Sequence, residues 1–272
     1  MFHFAVVLRI VAVAFCLTLL VAWSLRAADP AAAGSKSTPA TRAAKTAPSD
    51  WHTIATFSIL GYDPETGEIG AAVQSRVFNV GNGVLWAEAD VGAVSTQAAG
   101  NVAYGPQALE LLKKRVEPAD VIKQVRDADP DPLPKDWSKE ARQLAVMNAK
   151  GETAVYTGPK CNAWAGSKQG KNCTAQGNIL AGEEVVGKMV EAFESTEGHL
   201  SMRLVAALEA GQAAGGDTRG MQSAALLVVK KNGGPWLNND SVLRLQVDDN
   251  SEPIKELRRL VEKAHPRRRT KG

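Results

Sequence analysis

The stretch that decides the fold is Thr53 to Ser75, TIATFSILGYDPETGEIGAAVQS. Thr53 to Leu60 (TIATFSIL) is rich in β-branched and apolar residues and reads as a strand. Asp63-Pro64-Glu65-Thr66-Gly67 puts Pro and Gly where a reverse turn uses them. Glu68 to Ser75 (EIGAAVQS) then returns as a second strand, making a hairpin. The strands are apolar on both faces and include small residues such as Gly70, Ala71 and Ala72. Such a sheet needs cover on both sides, which points to sheets packed on each other with helices outside.

The chain beyond alternates blocks of strands with blocks of helices. Val84 to Ala89 and Val91 to Gln97 read as a second strand pair. A helix with Pro106 in its first turn runs to about Arg115, and another begins at Pro118. Strands are expected at Gln143 to Asn148 and Thr153 to Thr157. A long Gly-rich loop carrying Cys161 and Cys173 follows, with Ala175 to Leu180 leading into helices at Glu183 to Glu194 and His199 to Ala213. Ser223 to Lys230 and Ser241 to Val247 form a last hairpin, and Pro253 to Ala264 a closing helix. Paired strands and paired helices exclude a doubly wound sheet and predict an α+β fold of antiparallel sheets covered by helices. Strand order does not follow from this pattern.

The ends read differently. Ile10 to Trp23 is an apolar run after the single charge of Arg9, and Ala27 and Ala28 offer small residues for cleavage, so residues 1–27 are expected to be a signal peptide. Leu25, three residues before the cut, leaves an uncleaved membrane anchor as the other reading. Residues 28–50 lack large apolar side chains and read as a disordered tether. Residues 51–265 are the single domain, and 266–272 (PRRRTKG) a basic tail. The expected destination is outside the cytoplasm, in the periplasm or the medium.

The pI of 8.7 does not indicate nucleic-acid binding. The ends carry seven net positive charges against +3 overall, which leaves the domain near −4. Cys16 lies in the signal; Cys161 and Cys173 remain, and in an oxidising compartment they are expected to form a disulfide, with two free thiols as the alternative. No further ligands accompany them for zinc, so no metal or other cofactor is called for.

Gly-x-Ser-x-Gly, phosphate-loop, dinucleotide and His-Glu-x-x-His motifs are absent. His52, His199 and His265 have no sequence neighbours that suggest a dyad or a metal site. What stands out instead are polar, Gly-rich junctions: Thr96 to Gly105 (TQAAGNVAYG), Ala175 to Leu180 (AQGNIL) and Gly211 to Ser223 (GQAAGGDTRGMQS). Amide side chains there can orient a polar ligand, or simply cap helices and pin loops.

With TFSILGYDPETGEIGAAVQSR, GAVSTQAAGNVAYGP, CNAWAG, AQGNIL, EAGQAAGGDTRGMQSAALLVV and LRLQVDDNSEPIKELRRL in order, the chain resembles the family catalogued as domain of unknown function 1028. The resemblance runs from Thr56 to Ala264 and implies a four-layer α-β-β-α fold similar to the N-terminal-nucleophile hydrolases. It implies no known substrate. In such hydrolases the first residue of the mature chain is the nucleophile and its own α-amine the base, so no histidine is needed. The matching position is Thr56, with Asn101, Asn178 or backbone N–H groups as oxyanion donors and Arg76 placed to lower the amine's pKa or hold a carboxylate. Gln97, Tyr104, Asp217, Arg219, Gln222 and Ser223 are the candidate substrate-binding residues, for a small-molecule or peptide-like ligand. Thr56 becomes N-terminal only through self-cleavage after Ala55. The alternative is a non-catalytic protein of the same fold that binds a small polar or cell-wall-derived ligand, with Thr56 an ordinary strand residue. Sheet edges can also pair into a homodimer.

Overall fold

The expected hairpin forms from β1 (Thr56–Asp63) and β2 (Glu68–Ser75), in register from Thr56 opposite Ser75 to Asp63 opposite Glu68. Its turn closes with Gly67 N–H on the Asp63 carbonyl (2.8 Å), and Gly67 sits at φ 75°, where a side chain would be strained. This computed structural model describes residues 55–265. The signal segment, the tether, His52 and the basic tail lie outside the described residues.

Next come β3 (Leu85–Glu88), β4 (Gly92–Ala98), α1 (Tyr104–Lys113), α2 (Pro118–Asp127), β5 (Arg142–Asn148) and β6 (Thr153–Thr157). They are followed by β7 (Trp164–Gly170), β8 (Cys173–Leu180), α3 (Glu183–Ser195), α4 (Leu200–Ala213), β9 (Ser223–Val229), β10 (Ser241–Val247) and α5 (Pro253–Ala264). Among the described residues there are two antiparallel sheets, ordered β10-β9-β2-β1-β8-β7 and β3-β4-β5-β6, and five α-helices.

Two expectations need correction. The Gly-rich stretch read as a loop is the β7–β8 hairpin, and β8 lies directly beside β1. Its strand signal is hidden because Gly166, Gly170 and Gly177 interrupt it and because Gln176 and Asn178 stand where apolar residues normally mark a buried strand. The disulfide is the second correction: both cysteines are free. Ile179 N–H donates to the Asn162 carbonyl (3.3 Å), so Cys161 lies by the far end of β8 from Cys173. Six strand residues span about 20 Å at ~3.3 Å each, well over a disulfide's reach. Burial, with Glu194 nearby, pushes the Cys173 thiol up to about 12.

Strand alternation sorts the core into three contacts. Phe57, Ile59, Ala72, Ala175, Leu226 and Val228 of the larger sheet pack on Val186, Met189, Phe193, Leu204, Leu208 and Leu257 of α3, α4 and α5. The opposite side chains, Leu60, Ile69, Ala71, Val73 and Leu227, meet Ala93, Ala145 and Met147 of the smaller sheet. Val94, Leu144 and Val146 on that sheet's other face are covered by Leu109 and Leu112 of α1 and by Val121 and Ile122 of α2. Gly61 permits a close helix approach: a Cβ there would lie 2.6 Å from Phe193 Cε2.

Truncating the fully buried Phe193 to Ala should cost about 3–5 kcal/mol, read from the urea midpoint. Cys161 and Cys173 should both alkylate in denaturant without prior reduction, and one bridged pair would overturn the assignment.

Candidate active site

Between the sheets, beyond the apolar contacts, the side chains turn polar. Thr56 and Ser58 of β1, Ser95 and Gln97 of β4, Gln143 of β5, and Gln176 and Asn178 of β8 are all at most 2% exposed. They lie two residues apart on their strands, so each strand turns them to the same side. Ser58 Oγ donates to Gln97 Oε1 (2.7 Å) and lies 2.8 Å from Ser95 Oγ. Gln97 Nε2 donates to Gln143 Oε1 (2.8 Å) and to the Thr56 carbonyl (3.3 Å). Gln176 Nε2 donates to Ser58 Oγ (2.7 Å), and Gln143 Nε2 to the Gly177 carbonyl (2.9 Å). Buried amides are costly without partners, so this network ties the two sheets at one end.

Thr56 heads β1 in this polar region, opposite Ser75 on β2 and Asn178 on β8. Its Oγ1 donates to Ser75 Oγ (3.2 Å), and Ser75 Oγ donates in turn to the Ala55 carbonyl. Arg219 Nη2 also donates to that carbonyl, at 2.9 Å. Asp217, almost fully buried, holds the Arg219 guanidinium at 2.9 Å and accepts from Arg76 N–H at 3.3 Å. The Arg76 guanidinium, in turn, donates to the Arg219 carbonyl. The peptide oxygen before Thr56 therefore carries a hydroxyl and a guanidinium donor, and the threonine hydroxyl is one hydrogen bond away. Such donors favour negative charge on that oxygen.

Of the residues expected from the sequence, Thr56, Arg76, Gln97, Asn178, Asp217 and Arg219 come together here. Asn178 Nδ2 reaches Gln143 Oε1 (3.3 Å), while its buried Oδ1 has no partner. Ser223 and Gln222 sit one step away. Ser223 Oγ pins the segment after β2 through the Val77 carbonyl (2.6 Å) and Val80 N–H (3.0 Å), and Gln222 Nε2 turns to Asp249 (3.1 Å).

Asn101 and Tyr104 do not join Thr56. Both bind Asp129, at 3.3 and 2.7 Å, on the helix-facing side of the smaller sheet, where Arg142 Nε completes a buried ion pair at 3.0 Å. Strand alternation explains the separation: Gln143 faces the other sheet, so its neighbour Arg142 faces the helices. Burial alone would raise the Asp129 carboxyl, but bonds from Tyr104, Asp131 N–H, Arg142 and Asn101 hold it at about 2. Arg142 also reaches the Ala99 and Trp137 carbonyls, which fixes the loops near the site.

The sequence reading missed Ser58, Ser75, Ser95, Gln143 and Gln176. Polar residues at every second position of otherwise apolar strands were the available signal, in Thr56/Ser58, Ser95/Gln97 and Gln176/Asn178. It also missed a histidine pair: His199 Nε2 lies 3.1 Å from Glu68 Oε1, and its ring stacks on His265 at 3.9 Å. That pair belongs to the opposite end of β2. Among the described residues no cluster of three His, Cys, Asp or Glu is placed to hold a metal ion.

Two residues beside the site are in left-handed backbone without being glycine, Ala98, the last of β4, at φ 64° after Gln97 and Ile179, one before the end of β8, at φ 53° after Asn178. A β-branched residue there costs about 1–3 kcal/mol. Ile179 is held by Thr218, whose N–H and Oγ1 both donate to its carbonyl at 3.2 Å.

Fold and site together define an α+β protein of two antiparallel sheets with a buried hydroxyl–amide cluster at one end. Residues 56–257 match the family model described as Family of unknown function (DUF1028), and the chain belongs to that family. A solved protein of the same family, SPO2555 from Silicibacter pomeroyi, is similar at 33% identity, with a TM-score of 0.69 over 77% of this chain and 86% of that one. Anbu (ancestral beta-subunit) from Yersinia bercovieri is similar at 12% identity, with a TM-score of 0.37 over 77% of this chain and 94% of that one. No curated protein matches.

Replacing Asp129 by Asn leaves Arg142 buried without its counter-charge and should cost about 3–5 kcal/mol. The folded carboxyl titrates at about 2 against 3.8 when free. Its contribution is therefore present above about pH 4 and lost as pH falls toward 2. In urea titrations across that range, the wild type should lose stability that Asp129→Asn no longer has to lose.

Proposed function

We propose that the chain is an exported amide hydrolase of the N-terminal-nucleophile type, made as a precursor whose first substrate is its own Ala55–Thr56 bond. The observation that carries this reading is the double grip on the Ala55 carbonyl by Ser75 Oγ and Arg219 Nη2, with Thr56 Oγ1 3.2 Å from Ser75 Oγ. Helix contacts on the outer faces of both sheets and sheet-on-sheet contacts between them support the four-layer α-β-β-α arrangement that the reading requires. Export rests on the apolar segment Ile10 to Trp23.

In self-cleavage Thr56 Oγ1 attacks the Ala55 carbonyl carbon, and Ser75 and Arg219 stabilise the oxyanion. The Thr56 nitrogen leaves with the hydroxyl proton, giving an ester between Ala55 and Oγ1. Water then hydrolyses the ester and frees an Ala55 carboxylate and an N-terminal Thr56. An α-amine titrates at about 7.7–8.0 in the free state, close to neutrality, so it can take the Oγ1 proton in later turnovers. In turnover the substrate's acyl oxygen takes the place of the Ala55 carbonyl, the amine leaves protonated, and water releases the acid from Thr56.

The competing reading is a binding protein of the same fold with an intact Ala55–Thr56 peptide. N-terminal sequencing and intact mass of the purified protein separate the two. We expect a chain beginning at Thr56, and slowing of its appearance by about 10²–10³-fold in Arg219→Ala, as when one oxyanion donor is removed. Ser75→Ala should slow it similarly, and Thr56→Ala should abolish it. A purified protein that keeps the Ala55–Thr56 bond would overturn the mechanism.

A further inference from the structure

We propose that the cavity bordered by Gln97, the amide that holds the Thr56 carbonyl, receives the acyl portion of the substrate and is selective for an uncharged, mainly apolar group, an aliphatic chain or a single ring; this rests on the hydrolase reading above. The cavity, of about 360 Å³, lies between the segment after β2 and the loop after β4, with Trp137 against it. Its apolar wall is Val77, Phe78, Val84, Ala98, Val102 and Trp137, and no charged side chain lines it.

The cavity is joined to the reacting centre through Gln97, which lines it and also holds the Thr56 carbonyl at 3.3 Å. Val77, at its other side, follows Ser75 by two residues.

The polar part of the lining, Asn79, Asn82, Thr96 and Gln97, is neutral and offers a charged ligand no counter-charge. Gln97 Oε1 already accepts from Ser58 and Ser95, and its Nε2 donates to Thr56 and Gln143. A carboxylate or ammonium would lose its water without gaining a counter-charge. Phe78 and Val102 at the cavity are 67% and 52% exposed, large apolar side chains left uncovered beside a recess. The volume is at the small end of ligand pockets, which run from about 300 to 1,000 Å³, so it suits a group of leucine or phenylalanine size.

Two glycines make the cavity testable. A Cβ at Gly100 would have no neighbour closer than 3.8 Å, so Gly100→Leu fills the cavity without a backbone clash. A Cβ at Gly83 would meet only Val102 Cγ2, at 3.3 Å. Trp137 Nε1 donates to the Gly100 carbonyl (2.9 Å), which makes its indole resonance a reporter of occupancy.

The experiment titrates the matured wild-type protein, whose chain begins at Thr56 and whose acyl position is free of Ala55, with isocaproamide, succinamate and γ-aminobutyramide, following the Trp137 indole by NMR before the amide is consumed. Isocaproamide should bind about tenfold or more tightly than either charged amide, and Gly100→Leu should remove that preference. Gly83→Val replaces it if the leucine variant does not fold. Equal or tighter binding of a charged amide, or unchanged isocaproamide binding in the filled variant, overturns the proposal. Failure of the wild-type chain to cleave at Thr56 would instead overturn the hydrolase reading, an outcome read from the N-terminus and not from these affinities.

Discussion

The amide of Gln97 joins the two sheets at the end where Thr56 lies. It accepts from Ser58 of the larger sheet, donates to Gln143 beside it, and holds the Thr56 carbonyl. Every one of these groups is buried, so a lost partner leaves a desolvated amide or hydroxyl behind. A network of this kind tolerates one geometry, and that geometry fixes the head of β1 against β2, β8 and β4. The apolar half of the inter-sheet space, from Leu60 to Met147, supplies area; the polar half supplies position.

The features around Thr56 depend on that positioning. The Ala55 carbonyl meets Ser75 because β1 and β2 are in register, and meets Arg219 because Asp217 holds the guanidinium from below. Left-handed Ala98 and Ile179 follow immediately on the amides Gln97 and Asn178 near the ends of their strands. Backbone strain there persists because both neighbouring strands are held by the same network. The Asp129–Arg142 pair acts one layer away, anchoring the Ala99 and Trp137 carbonyls and so the loops that border the cavity. A buried ion pair adds little net stability, but it makes its surroundings hard to rearrange.

Much of the fold was legible. The hairpin at Thr56–Ser75, the later strand pairs and the five helices follow from period and turn chemistry, since apolar spacing and Pro or Gly punctuation are local properties. The β7–β8 hairpin was not, because its buried face is made of Gln176 and Asn178, and a single strand does not reveal that partners await those amides across the sheet. Asn101 and Tyr104 were placed at the wrong site for a related reason: proximity to Gln97 in sequence says nothing about which side of a strand a loop returns on.

The sequence by itself determined that this is an α+β chain with two-faced strands, that Thr56 lies in the first of them, and that its histidines have no neighbours in the chain that suggest a dyad or a metal site. These are matters of residue type and short-range spacing. Only the tertiary structure decided that β8 lies next to β1, that Cys161 and Cys173 stay apart, and that Ser75 and Arg219 converge on the Ala55 carbonyl. Those outcomes depend on contacts between residues as many as 164 positions apart, and strand register, set by the packing of whole sheets, brings them together.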